Sequence, residues 1–217
     1  MVNLEYVLFI CIAVPLLLML ILLKGRSKLL LGFMLIGITV CLFISEVNSL
    51  LLPVLKTDMS YVTTVVTPIT EELAKMIPIL FFALVFEDKR ETLFMIALAL
   101  GIGFGLFENT VILVQNIEIV SIPWALIRGF ATALMHGICT LCVGLGISFV
   151  RKKRKLFWSG LFALLTLAAV YHGIFNMLQL ENKYAGAVNP IVTYIPLIVV
   201  RLNNARKNKK QDAKAGA

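Results

Sequence analysis

The chain has 217 residues, 60% of them hydrophobic and only 15% charged, with a mean hydropathy of +0.95, a balance that excludes a soluble globular domain. Its formal net charge of +8 does not indicate nucleic acid, because the basic residues cluster between and after the apolar runs, where they read as orientation signals and anionic-lipid contacts. A transmembrane barrel would show alternating segments of about ten residues, and none appear. The expected fold is therefore all-α, a polytopic transmembrane helical bundle.

In chain order about seven spans are expected, each near the length of roughly 20 apolar residues that a bilayer requires. The first, about 4–23, is too long for a signal-peptide core, follows acidic Glu5 and lacks a small-residue cleavage site, so it reads as a helix of the mature protein. The others lie at about 29–51, 66–86, 92–115, 125–150, 156–179 and 188–201. The segment from Pro53 to Thr67 reads as a loop. The basic loops KGRSK (24–28), EDKRE (87–91) and RKKRK (151–155), with the tail from Arg201, alternate with loops almost free of lysine and arginine. By the positive-inside rule the amino terminus is outside and the carboxyl terminus cytoplasmic. Residues 1–203 form one membrane domain with a core at about 66–180, and 204–217 form a basic tail. Cys11, Cys41, Cys139 and Cys142 all fall in apolar runs and give no disulfide framework.

Ionisable and imidazole side chains inside spans are expensive, so each needs a partner, a cavity or a function. The third span carries Glu71, Glu72 and Lys75, the fourth Glu108 and Asn109, the fifth His136, the sixth His172 and Asn176. At 1.5 Å of rise per residue, Glu72, Glu108, His136 and His172 all fall within roughly 5–17 Å of the outer surface, which points to one shared site. Glu71 precedes Lys75 by four residues, so that pair can neutralise itself and Glu72 is the surplus carboxylate. Pro78 removes a backbone donor and either kinks the helix or opens a wet pocket beside the carboxylates. Gly101 and Gly105 form a close-packing face that leaves Glu108 unexplained. His172 and Asn176 share a helical face and can donate to one oxyanion, or simply bond another helix. HGICTLC offers His136, Cys139 and Cys142 as a rival ligand cluster. Glu108, His136 and His172 could instead hold a metal, with Glu72 as base.

At these positions the chain resembles the PrsW family of intramembrane proteases, within the larger superfamily of CAAX-processing and bacteriocin-immunity membrane proteases. The matching elements are E-E-x-x-K at Glu71, Glu72 and Lys75, F-x-x-x-E-N from Phe104 to Glu108 and Asn109, His136 in the next span, and H-x-x-x-N at His172 and Asn176. They follow one another in the family's order across about residues 67–180. The CAAX branch has an arginine one position after Lys75 and a histidine where Glu108 stands, so the PrsW branch fits and prenyl-protein processing is not implied.

The resemblance implies a glutamate-dependent intramembrane endopeptidase of a cell membrane, a bacterial plasma membrane in the relatives. Its partners would be the lipid bilayer and a single-span substrate, in bacterial relatives an anti-sigma factor cleaved to start a stress response. On the residues, Glu72 or Glu71 is the general base, Glu108 and His136 position a water or a metal, and His172 and Asn176 stabilise the oxyanion, with Lys75 and Asn109 in support. The cofactor is none, or one divalent metal such as zinc. A proton-coupled transporter using the Glu and His residues as a relay is the alternative, and a non-catalytic scaffold a third reading.

Overall fold

The computed structural model describes residues 4–87, 89–118, 120–150 and 157–180. Among these residues every element is helical: α1 (Leu4–Leu22), α2 (Gly25–Leu55), a short α3 (Met59–Tyr61), α4 (Thr67–Val85), α5 (Arg90–Gln115), α6 (Ile122–Val150) and α7 (Phe157–Leu180). A π-helical turn, Val62–Val66, joins α3 to α4. Five helices are long and apolar enough to cross a membrane, namely α1, α2, α5, α7 and the Arg128–Ser148 part of α6. The 19-residue α4 differs from them in carrying Glu71, Glu72 and Lys75. The expected span at 188–201 and the basic tail at 204–217 lie outside the described residues.

The expected loop between Pro53 and Thr67 is mostly helix. Pro53 sits near the end of α2, and Lys56, left-handed at φ 47°, makes the turn. The chain is helical again from Met59, where Thr63 and Thr64 donate their hydroxyls to the carbonyls of Met59 and Ser60 at 2.9 and 2.8 Å. These back-bonds let threonine sit inside a helix instead of opening a loop. At the next turn, between α4 and α5, Thr92 Oγ1 donates to Glu87 at 2.5 Å and Lys89 pairs with it at 3.0 Å. The Thr92 bond first, then Lys89, hold that carboxyl below its usual range.

The bundle is built around α5, whose Leu93, Ile96, Ala97, Leu100 and Phe104 are fully buried. Large apolar side chains such as Ile21, Phe43, Phe81 and Trp158 point outward, as expected for helices that face hydrocarbon. Helices in lipid have little hydrophobic drive to associate, so contact depends on close approach. Glycine supplies it here. A Cβ on Gly37 of α2 would strike the Leu100 carbonyl of α5, one on Gly103 of α5 the Met34 carbonyl of α2, and one on Gly101 the His136 carbonyl of α6. Gly144 of α6 packs on the Ala97 side chain, whose Cβ would lie 2.7 Å from an added one. Replacing Gly103 with alanine is therefore expected to force α2 from α5 at about 1–3 kcal/mol. Gly32→Ala, whose nearest neighbour would be a Leu20 side-chain carbon at 3.8 Å, should be tolerated. Unfolding midpoints in detergent compare the two variants, and equal midpoints would sink the seam as a source of stability.

Candidate active site

The π turn follows from Pro68. In this register the N–H of Thr67 reaches back to the carbonyl of Val62, so the carbonyl of Thr63 would be paired by residue 68. Pro68 has no N–H, and the Thr63 carbonyl is left over. Asn176 of α7 takes it, donating from Nδ2 at 3.0 Å. Beside it the Thr64 carbonyl lies so close to Gly173 that a Cβ there would collide with it. α7 is thus clamped to the start of α4, which brings His172 against the carboxylates.

Glu72, Lys75, His136 and His172 are completely buried, and Glu71 is only 5% exposed. Lys75 Nζ donates to Glu72 Oε1 at 2.6 Å and to His136 Nδ1 at 2.9 Å, and lies 4.3 Å from the centre of the Phe104 ring. An ammonium can only donate, so Nδ1 of His136 accepts, and the neutral ring carries its hydrogen on Nε2. That hydrogen goes to Glu108 Oε2 at 2.6 Å. The same reasoning applied to His172 gives the opposite tautomer. Its Nδ1 lies 3.0 Å from Glu72 Oε1, and a carboxylate can only accept, so Nδ1 donates and in the neutral ring Nε2 is bare.

His172 Nε2 faces Glu71 Oε2 across 3.8 Å, and neither atom has a hydrogen-bond partner in the protein. Two buried lone pairs pointed at each other require a cation or a proton between them. His136 completes the set: ligating atoms of Glu71, His136 and His172 lie within 4.8 Å of one another. Two histidines and a carboxylate are a zinc-type donor set, and the Glu72 bond to the far nitrogen of His172 is the outer support that metal-bound histidines carry. His172 would lose no bond on binding an ion, whereas His136 would release Lys75 or Glu108.

The structure thus gathers Glu71, Glu72, Lys75, Glu108, His136 and His172 into one connected cluster. The carboxylate whose oxygen lies with the ring nitrogens of His136 and His172 is that of Glu71, and Glu108, expected in that place, is hydrogen-bonded to the imidazole of His136. Asn109 is buried with Oδ1 unpartnered, and Asn176 is engaged at Thr63. The rival cysteine cluster does not form. Cys139 Sγ donates instead to the Ala168 carbonyl at 3.5 Å, and α4 continues through Pro78. Two contributors were not singled out as site residues from sequence, although Phe104 opens the F-x-x-x-E-N element. Phe104 lies under Lys75 and beside His136, ring centres 4.8 Å apart, and Arg128 of α6 is in electrostatic reach of Glu108. Arg128 precedes His136 by eight residues, a helical spacing that could have flagged it. An apolar groove of about 640 Å³ runs between α7 and the π turn with α4, lined by residues such as Thr64, Ile69, Ala169 and Gly173. None of the charged site groups lines it.

A family model described as PrsW family intramembrane metalloprotease matches residues 25–201. No curated protein and no solved structure matches the chain.

Proposed function

The chain belongs to the PrsW family of intramembrane metalloproteases, and on that premise we propose that it hydrolyses a peptide bond of a single-span membrane protein, with Glu71, His136 and His172 holding one divalent ion. The observation that carries this reading is the bare pair of Glu71 Oε2 and His172 Nε2, buried and 3.8 Å apart. A bound ion of the zinc type would supply Lewis acidity toward a carbonyl and a water. Glu72 keeps His172 in the tautomer whose Nε2 is free. Lys75 neutralises Glu72 and fixes its position. Glu108, whose side chain is 24% exposed, takes the proton from the attacking water. Asn176 acts as a positioning residue that clamps α7 to α4.

The topology we infer is the seven-span one with the amino terminus outside, supported by the alternation of basic and neutral loops. It puts the cluster in the outer half of the bilayer and the cut near the extracytoplasmic boundary. An anti-sigma factor in a bacterial plasma membrane, the substrate that the resemblance implies, is a protein of this build. No feature among the described residues favours the transporter.

The test is reconstitution in vesicles with a panel of tagged single-span proteins, run alongside metal analysis of the purified protein. Wild type is expected to hold about one divalent ion per chain and to yield fragments that vanish with a chelator and return with zinc. Fragments that persist from metal-stripped protein would remove the ion from the reaction. Proton flux with no cleavage of any substrate would replace the protease with the transporter.

A further inference from the structure

Hydrolysis consumes water, and the cluster apart from Glu108 is buried among apolar helices, so water needs a way in. We propose that the seam between α5 and α6, marked by Arg128, Thr132 and Asn109, is a hydrated entry that delivers water from the membrane surface to Glu108 and His136. The proposal rests on the hydrolytic reading above.

Arg128, Thr132 and His136 follow one another at four-residue spacing on α6, so they form one stripe, about 12 Å long at 1.5 Å of rise per residue. Arg128 is half-buried at the end of the apolar part of the helix, and His136 is completely buried. Across the seam α5 presents Glu108, hydrogen-bonded to His136 and in electrostatic reach of Arg128, and then Asn109. Gly129 on α6 leaves space at this level, since even a Cβ there would stay 3.7 Å from Asn109 Nδ2.

The side chains along the stripe behave differently from their counterparts elsewhere. Thr39, Thr63, Thr64, Thr110 and Thr140 each donate the hydroxyl to the carbonyl four residues earlier in their own helix. Thr132 does not, and its Oγ1 is buried without a partner in the protein. The Oδ1 of Asn109 is in the same condition, whereas Asn116 satisfies its amide on the Ile112 carbonyl. Two buried, unpartnered polar atoms lie along a seam that also offers a carboxylate and a guanidinium. Buried polar atoms that the protein leaves unpartnered are the groups that ordered water satisfies. A purely structural polar pair would bond to itself or to its own backbone.

The entry can be tested without any substrate, by cysteine labelling of the full chain in sealed vesicles after Cys11, Cys41, Cys139 and Cys142 are replaced with alanine. Thiosulfonate reagents react with the thiolate, which forms in water and not in hydrocarbon. Thr132→Cys is expected to react with a membrane-impermeant reagent at least about tenfold faster than Phe130→Cys, from the face where α6 begins only. Phe130 is two residues away and 67% exposed toward lipid. Equal rates, or reaction from neither face, would overturn the entry. Unsubstituted protein gives a second reading through radiolytic hydroxyl labelling: His136 should be modified although it is buried, while buried Phe33 on α2 should not. Protection of His136 equal to that of Phe33 would also overturn it. Labelling with no proteolysis under any condition would leave the entry standing and remove the protease reading.

Discussion

Replacing Glu71 with glutamine, or His172 with alanine, is expected to lower peptide-bond cleavage by roughly 10³-fold or more, the several kcal/mol that a metal ligand set contributes. Both variants should also lose the ion, which metal analysis reads independently of activity. Glu71→Gln should keep the fold, because Glu71 Oε2 makes no hydrogen bond in the protein that the substitution could break, whereas His172→Ala also removes the Nδ1 bond to Glu72 and is read against its own unfolding midpoint. Glu72→Gln separates support from ligation. The far-nitrogen bond of His172 weakens but the three donors stay, so the loss expected is about 10–100-fold in metal affinity, and excess metal should recover part of the activity. If Glu71→Gln retained both ion and activity while Glu108→Gln lost both, the ligand set inferred here would be wrong and the set expected from sequence right.

Lys75→Met is expected to destabilise the protein by about 3–5 kcal/mol, the usual result of stripping one partner from a buried ion pair. Lys75 is completely buried and gives hydrogen bonds to both Glu72 and His136. Without it a carboxylate remains in the interior of the bundle with His172 as its one hydrogen-bonded neighbour. The double variant Lys75→Met with Glu72→Gln should recover much of the loss, since it removes the stranded charge as well as its partner. Reversible unfolding in mixed detergent measures both. A double variant no more stable than Lys75→Met alone would mean that the lysine acts through its packing on Phe104.

The sequence carried the helices and the layer of polar groups plainly, because a charged residue inside an apolar run has few explanations in a membrane. Glu71, Glu72, Glu108, His136 and His172 were all identifiable on that ground before any of them touched. Their division of labour was not, since it depends on how each helix is turned about its axis. Glu71 and Glu72 are adjacent in the chain and differ by about 100° around α4, which is the difference between facing a bare imidazole nitrogen and facing an ammonium. The reading that paired Glu71 with Lys75 used spacing alone, and four residues apart did not outweigh three once tertiary packing placed Lys75 against Glu72. Asn176 was legible as polar and on the face of His172, yet its partner, the Thr63 carbonyl, exists only because Pro68 falls in a π register. No residue pattern between 53 and 67 announces that register, and the segment from Pro53 to Thr67 read as a loop.

The glycine contacts also distribute stiffness unevenly through the bundle. α2, α5 and α6 meet backbone against backbone at Gly37, Gly101 and Gly103, a joint with no side-chain rotamers to yield, so these three helices act as a fixed jaw carrying Glu108 and His136. α4 and α7 are fastened to each other by the Thr63 to Asn176 and Glu72 to His172 bonds, and they hold Glu71 and His172. This second side is joined to the first through side-chain contacts, Lys75 to His136 and Cys139 to the Ala168 carbonyl among them, so it is the side with more freedom to yield if the site widens for a polypeptide. Each side carries part of the candidate donor set, so on the proposed reading holding an ion and admitting a substrate would be mechanically coupled.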